Sequence, residues 1–379
     1  MNFDFSDEQK QLKDQARRFL ADTSSMTAVR QILDGPEPYD RVLWKRLGEM
    51  GFLGAAIPES YGGLGAGYLE LCVIAEEMGR SLAPVPMSSS IYLAAELLKI
   101  AGSEAQKHKW LPLLATGEAI GTVAVAERVG RVMPDKIACR VTNGLLDGDK
   151  IPVADGDVAD FAIVAARSGS ATGEKGISLF VVDLLSTGVS RAAVSTIDPT
   201  RSQASLKFRS VSAEPLGEPG KGWDYIETVN DRAAILLAFE QIGGSDRALE
   251  MARDYALERM AFGRQIGSFQ AVKHMLADMY VAAALARSNA YYGAWALSSD
   301  APELSIAAAS ARVSATLAFQ QCARNNIQVH GGMGFTWEFD CHLYYRRSNA
   351  LALALGSLSS WEDKLIARMD ERNDLAAAG

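Results

Sequence analysis

The segment Ile235–Gly244 reads Ile-Leu-Leu-Ala-Phe-Glu-Gln-Ile-Gly-Gly and places one carboxylate, Glu240, in a run of apolar residues. It lies inside Asp224–Leu257, where apolar residues recur at helical spacing. The same spacing occurs in three later stretches, Phe269–Leu297, Leu304–Ile327 and Asp340–Met369. Helices of about 30 residues would each be about 45 Å long. Four of them most simply pack as an up-down bundle.

The chain ahead of this bundle begins with a predicted helical domain, residues 1–116. Ser6, followed three positions later by Gln9, matches a capping box that precedes an amphipathic run. Two later segments, Leu69–Arg80 and Ser90–Ala101, return to helical spacing. We therefore expect several helices in this region.

Residues 117–221 have a different pattern, in which short β-like runs are separated by turn residues such as Asn143-Gly144. The runs are Gly121–Val125, Phe161–Val164 and Ile177–Val182. They predict a β-sandwich or barrel of about 100 residues. The predicted fold class is therefore α+β and multidomain, with a helical domain at 1–116, a β domain at 117–221 and a four-helix bundle at 222–379.

The overall composition argues against several classes of function. Apolar residues make up 48% and charged residues 22%, which is typical of a globular protein. A net charge of −8 and a pI of about 5.2 argue against binding to nucleic acid. There is no apolar run of about 18 residues, so we expect no membrane span. The start, Met1–Gln9, has no apolar signal region, and we expect a cytoplasmic protein.

The cysteines and histidines show no metal-binding or redox pattern. Four cysteines without a C-x-x-C pair indicate a reducing compartment, with cysteine used as a small apolar filler. Four histidines without i,i+4 pairing predict no metal site. Nucleotide-binding glycine loops are also missing. His330-Gly331-Gly332 is similar to an esterase oxyanion loop, but the chain has no G-x-S-x-G nucleophile elbow to accompany it.

Four segments, taken together, carry a resemblance to a known family. They are Ile57–Gly65, Glu76–Gly79, Arg259–Gln270 (beginning Arg-Met-Ala-Phe-Gly-Arg-Gln) and Gln328–Phe335 (Gln-Val-His-Gly-Gly-Met-Gly-Phe). In order and spacing they resemble the acyl-CoA dehydrogenase family over essentially the whole chain. The resemblance implies FAD as cofactor and α,β-dehydrogenation of an acyl-CoA thioester in lipid and fatty acid metabolism. It also implies an electron-transferring flavoprotein as electron acceptor, and a tetramer.

The last two segments suit the anionic diphosphate of FAD. Arg259 offers a guanidinium with bidentate geometry, and Gly331 and Gly332 allow backbone donors to approach closely. Each motif alone is better explained as a solvated arginine or a loop glycine cluster; together they favour the cofactor. The resemblance places Phe262 and Gln270 beside the ADP portion and Gln328 on the diphosphate, often across a subunit boundary.

The resemblance also assigns a residue near CoA. Asp231 matches the acidic residue of the family's L-D-x-x-R segment, but the arginine of that segment falls at Ala234. Arg232 is close in sequence yet lies on another helical face, since two positions turn a helix by about 200°.

The catalytic base departs from the family pattern. In most relatives it is a glutamate at the position of Leu355, and in some branched-chain relatives it lies at the position of Ala233. The backbone N–H of Leu355 would remain available to polarise the thioester carbonyl. Glu240 is the replacement candidate for the base, because a carboxylate in so apolar a helix needs a reason. The alternative is a buried structural glutamate paired with an arginine across the bundle.

The middle domain also departs from the pattern. Ala126-Glu127-Arg128 and Pro152-Val153-Ala154 stand where relatives line the flavin ring, and the hydroxyl usually near flavin N5 is lost at Ala154. The chain therefore resembles bacterial acyl-CoA dehydrogenase subunits that act on sterol side chains, in which two different subunits divide the site. The alternative is a homotetramer that uses backbone contacts instead.

Two other functions remain open on the same fold. One is a flavin monooxygenase or oxidase, whose relatives also lack the usual glutamate. The other is a subunit without a base that completes a paralogue's site in a heterotetramer.

Overall fold

The N-terminal region is helical, as predicted. The computed structural model describes residues 5–378. The first helices of this region are α1 (Asp7–Thr23), α2 (Met26–Asp34), α3 (Arg41–Glu49), α4 (Tyr68–Arg80), α5 (Glu96–Ala101) and α6 (Glu104–Thr116). Ser6 and Gln9 form the predicted capping box at the start of α1. The predicted helix Ser90–Ala101 is divided, since a wide π-type helix, Ser88–Ala95, precedes α5.

The middle region forms a β-sheet. Its strands are β1 (Gly121–Ala124), β2 (Arg140–Thr142), β3 (Leu145–Ala154), β4 (Phe161–Arg167), β5 (Ile177–Asp183), β6 (Val189–Ala193), β7 (Gln203–Ser212) and β8 (Glu214–Leu216). They lie in the order β6-β7-β3-β2-β4-β5-β8, and β1 pairs in parallel with β4. Asn143 and Gly144 join β2 to β3, and both have the positive φ that tight hairpins need.

The C-terminal region is again helical. It consists of α7 (Gly222–Glu258), a hairpin of β9 (Met260–Ala261) and β10 (Arg264–Gln265), then α8 (Gln270–Ser298), α9 (Leu304–His330), α10 (Cys341–Leu353) and α11 (Leu358–Ala378). The prediction of one helix over Asp340–Met369 was wrong. The backbone leaves helical geometry between α10 and α11, where Leu355 and Gly356 both have positive φ.

The chain packs as two compact units. One combines the described chain up to Arg30 with Tyr68–Ala83 and the described chain from Ala234 onward. The other combines Gln31–Gly67 with Pro84–Ala233 and contains the sheet. The division at residues 116 and 221 stays a prediction.

In the first unit, α4 and α7 cross with their backbones in contact. A Cβ added at Gly79 would meet the carbonyl oxygen of Glu240, and one added at Gly243 would meet that of Glu76. Both positions are therefore open only to glycine. This close crossing fixes the part of α7 that carries Glu240.

Helix α4 also carries the Glu76-Glu77 pair, whose partners lie on α1 and α8. Glu76 accepts hydrogen bonds at 2.8 Å from both Lys13 and Arg287. Glu77 accepts two from the guanidinium of Arg17. Both carboxylates are buried, and a buried charge is tolerated when it is paired and hydrogen-bonded. The Glu76–Gly79 segment therefore holds α1 and α8 against α4.

The four cysteines, Cys72, Cys139, Cys322 and Cys341, are all buried and free. Burial raises the pKa of Cys139 to about 11, that of Cys322 to about 12 and that of Cys341 to about 11. Their use as apolar fillers is confirmed. Among residues 5–378, no helix is both long enough and apolar enough to cross a membrane.

Candidate active site

The hairpin after α7 carries the first group of predicted cofactor residues. Arg259 follows the end of α7 with an exposed side chain, and its carbonyl accepts from Ile266 N–H at 2.8 Å. Phe262 and Gly263 form the turn, both with positive φ. The Phe262 side chain is 95% exposed. Positive φ is uncommon for a bulky residue, so the hairpin holds a large apolar ring out at its tip.

The loop after α9 carries the second group. Gly331 follows the helix with φ +61° and ψ −138°, a conformation that favours glycine. An added Cβ would meet no atom within 4 Å at Gly331 or Gly332. Gln328, one turn earlier, is also exposed. The loop thus presents backbone to open space, which suits close approach of an anionic diphosphate.

Two aromatic rings bring these groups together. His330 stacks on Tyr255 with ring centroids 4.2 Å apart, and the carbonyl of Tyr255 accepts from Arg259 N–H. Phe339 packs edge-on against both rings. The end of α7, with Arg259, therefore meets the end of α9, with Gly331 and Gly332.

Sequence reasoning named the glycines beside His330 but missed its role and that of Tyr255. His330 is buried and lies at 2.8 Å, through Nδ1, from the carbonyl of Asn326. Burial lowers the pKa of His330, so the ring is neutral at pH 7. It acts as an uncharged spacer between the helix ends. Aromatic residues near both motifs were the only available signal.

A second cluster lies inside the bundle around Arg312 of α9. Glu240 is 0% exposed and Arg312 is 1% exposed. Arg312 donates through Nη1 to Gln241 Oε1 at 2.8 Å, and through Nη2 to the carbonyls of Leu351 and Ala354. Burial lowers the pKa of Arg312 to about 10, and the charge of Glu240 opposes that shift. One cation therefore links the environment of Glu240 to the two carbonyls before Leu355.

Leu355 is held in an unusual conformation at the end of this cluster. Its φ is +62°, its side chain is half-buried, and its carbonyl accepts from Trp361 Nε1 at 3.1 Å. Among the described residues, no acceptor takes the Leu355 N–H. This leaves a backbone donor available at Leu355, the position that the sequence resemblance assigns to the family's usual base. Such strained residues are often found at functional sites.

In the second unit, the Arg232 side chain pairs with a carboxylate of the protein itself. Its Nη1 lies 3.3 Å from buried Glu96, which also binds Lys99 Nζ at 2.7 Å. Asp231 is buried in the same unit. The structure therefore gives no support to Arg232 as a substitute for the missing CoA arginine.

The middle-domain segments are held by buried polar groups. Glu127 accepts from the backbone N–H of Ala138 and Cys139 and from Lys150 Nζ, which is fully buried. Asp155, missed by sequence reasoning, follows Ala154. It has positive φ and accepts from a serine hydroxyl, Ser89 Oγ, at 2.6 Å.

Burial raises the pKa of Asp155. An Asp-Gly pair was the only signal for it in the sequence.

Two family models match this chain. The acyl-CoA dehydrogenase N-terminal domain matches residues 6–118, and the acyl-CoA dehydrogenase C-terminal domain matches residues 220–368. Acyl-CoA dehydrogenase IpdE2 of Mycobacterium tuberculosis is 36% identical, over 93% of this chain and 94% of its own length.

Two solved structures share the fold throughout. The ChsE4-ChsE5 complex from Mycobacterium tuberculosis is 28% identical with a TM-score of 0.88, covering 98% of this chain and 99% of that one. The electron transferring flavoprotein structure from Acidaminococcus fermentans is 26% identical with a TM-score of 0.90, covering 97% and 99%. With the two family models, these likenesses show that the chain belongs to the acyl-CoA dehydrogenase family of flavoprotein oxidoreductases.

Proposed function

We propose that this chain oxidises an acyl-CoA thioester between Cα and Cβ, with Glu240 as the base and the Leu355 N–H as a donor to the thioester carbonyl. The observation that carries the proposal is the Arg312 cluster. It joins the environment of Glu240 to the carbonyls of Leu351 and Ala354, immediately before Leu355. The helix that carries Glu240 is thus tied, through Gln241 and Arg312, to the turn that carries Leu355, which supports the proposal.

The proposed roles follow from charge. The α-proton becomes removable as negative charge moves to the thioester oxygen, and a fixed donor such as the Leu355 N–H stabilises that charge. Glu240 is fully buried and, as the proposed general base, takes up the α-proton. Arg312 supplies the compensating positive charge. Bound FAD would accept the β-hydride at N5, so the substrate loses a proton and a hydride and becomes a 2-enoyl-CoA.

The residues proposed to hold FAD share one property: each has an exposed side chain or exposed backbone. They are Arg259, Phe262, Gln270, Gln328, Gly331 and Gly332. The stack of Tyr255 on His330 supports the assignment, because it brings the two motif ends together within one unit. We further propose Asp231 as a CoA-side residue, and an electron-transferring flavoprotein as the electron acceptor.

Gly332→Ala should weaken FAD binding without weakening the fold. The added methyl meets no protein atom within 4 Å but would occupy the space proposed for the diphosphate. Loss of one close backbone donor costs about 1.4 kcal/mol, or about tenfold in Kd. Flavin fluorescence titration measures the affinity, and thermal unfolding of the apoprotein is the control. An unchanged Kd would contradict the assignment of this loop to FAD.

The second candidate function is that of a subunit that lacks the base or shares its site with a paralogue. Ala154 favours it, because this residue of the middle domain lacks the hydroxyl that relatives place near flavin N5. ChsE4-ChsE5 is a complex of two different chains, which supports a heterotetramer with a paralogue as an alternative to a homotetramer.

The absorbance spectrum tests the proposal directly. The chain is purified alone and after co-expression with a paralogue, and a panel of acyl-CoAs is then added without oxygen. We expect a yellow protein that one acyl-CoA bleaches. Colour only with the paralogue supports the heterotetramer, whereas rapid turnover with oxygen supports an oxidase or monooxygenase. A chain that takes up no flavin in either preparation would overturn the proposal.

A further inference from the structure

The burial of the Arg312 guanidinium inside the bundle is energetically unfavourable. A guanidinium removed from water loses several kcal/mol of hydration, and well-packed apolar residues are often at least as stable at such sites. Its burial lowers its pKa to about 10 despite the charge of Glu240. Packing alone therefore does not account for an arginine here.

The hydrogen bonds of Arg312 show what the guanidinium supplies. Nη2 binds the carbonyls of Leu351 and Ala354, at the end of α10. The carbonyls at the end of a helix carry partial negative charge, so a cation is favoured there. Nη1 binds Gln241 on α7. The planar fork thus ties the end of α10 to the helix that carries Glu240, which a single ammonium could do only in part.

The turn that follows is fixed from both sides. Arg312 holds the residue before Leu355, and Trp361 Nε1 donates to the Leu355 carbonyl at 3.1 Å. Leu355 lies between them with φ +62°. A leucine in this region is strained and persists only where its surroundings impose the conformation. The result is a backbone N–H held in one direction, with no acceptor among the described residues.

We propose that Arg312 is a positioning residue for the dehydrogenation: by holding the Leu351 and Ala354 carbonyls it fixes the Leu355 N–H as the donor to the thioester oxygen. This inference rests on the proposed function. It adds that one guanidinium ties α7, which carries Glu240, to the α10–α11 turn, which carries the donor.

The test compares Arg312→Met, which keeps much of the volume, with Arg312→Lys, which keeps the charge. In Arg312→Met the rate of flavin reduction by acyl-CoA should fall by about 100-fold, the usual effect of losing one carbonyl donor. FAD content should stay unchanged. Arg312→Lys should recover part of the loss. Reduction at the wild-type rate in Arg312→Met would overturn the inference.

A control separates positioning from core stability. Phe319, on the same helix, is fully buried, and its ring lies against Gly244 of α7. Phe319→Leu should lower the unfolding temperature yet leave flavin reduction within about twofold of wild type. Equal slowing in Phe319→Leu and Arg312→Met would assign Arg312 a structural role only. If Arg312→Met does not fold, Trp361→Phe removes the other support of the turn and should slow reduction in the same way.

An infrared measurement tests the positioning role of Arg312 separately from the role of Glu240 as the base. In Glu240→Gln holoenzyme with bound acyl-CoA, the thioester carbonyl stretch should be lowered by the Leu355 donor. Adding Arg312→Met should return it toward the value in water. A stretch that Arg312→Met leaves unaltered overturns the positioning role, whatever Glu240→Gln does to turnover. Normal flavin reduction by Glu240→Gln overturns the base, whatever the stretch shows.

Discussion

Replacing Glu240 with glutamine is expected to abolish reduction of the flavin by acyl-CoA. Glutamine keeps the shape of the side chain but cannot take up the α-proton. A positioned general base contributes about 10²- to 10⁴-fold, and loss of the base should bring the rate close to the detection limit. Anaerobic stopped-flow absorbance of the flavin measures it.

Glu250→Gln is the matched control, since it makes the same change on the same helix at a half-buried glutamate that binds Arg80. It should reduce flavin normally. The alternative role of Glu240, a structural partner for Arg312, gives a different result. In that case Glu240→Gln would leave a buried cation uncompensated and lower the unfolding temperature, yet flavin reduction would continue at the wild-type rate. That outcome would remove Glu240 as the base.

Replacing Gly243 with alanine should give the largest loss of stability. The new Cβ would lie on the Glu76 carbonyl oxygen and 2.9 Å from the Arg80 nitrogen, both backbone atoms of α4. Neither can move without displacing the helix. Overpacking of this kind costs roughly 3 kcal/mol, and more where backbone must shift. Urea unfolding, or the yield of folded protein, measures it.

The sign of this prediction is informative. Alanine in place of glycine inside a helix ordinarily stabilises it by about 1 kcal/mol. A gain in stability for Gly243→Ala would show that α4 and α7 do not touch as described. Gly332→Ala, which adds the same methyl in open space, controls for the change itself.

The sequence predicted the helices wherever apolar spacing and termini agree. Helices α7, α8 and α9 begin and end within a few residues of their predicted limits. The break after α10 was missed, because apolar residues continue through it at helical spacing. It depends on Leu355 adopting positive φ, which leucine rarely does unless tertiary contacts impose it.

The candidate site was predictable only in its motifs. Arg259 and the glycines after His330 carry family residues at recognisable positions, whereas the stack of Tyr255 on His330 depends on which helix ends meet. The alternative for Glu240 anticipated an arginine across the bundle, but periodicity does not tell which of several arginines faces it. The contact of Arg312 with the Leu355 turn could therefore be recognised only from the packing of the helices.

The burial of all four native thiols makes the folded chain inert to cysteine-directed reagents. A cysteine introduced at the exposed tip of the hairpin, in place of Phe262, would then be the sole site for a maleimide dye. Such a label would report whether FAD or another subunit covers that tip, without any native cysteine having to be removed first.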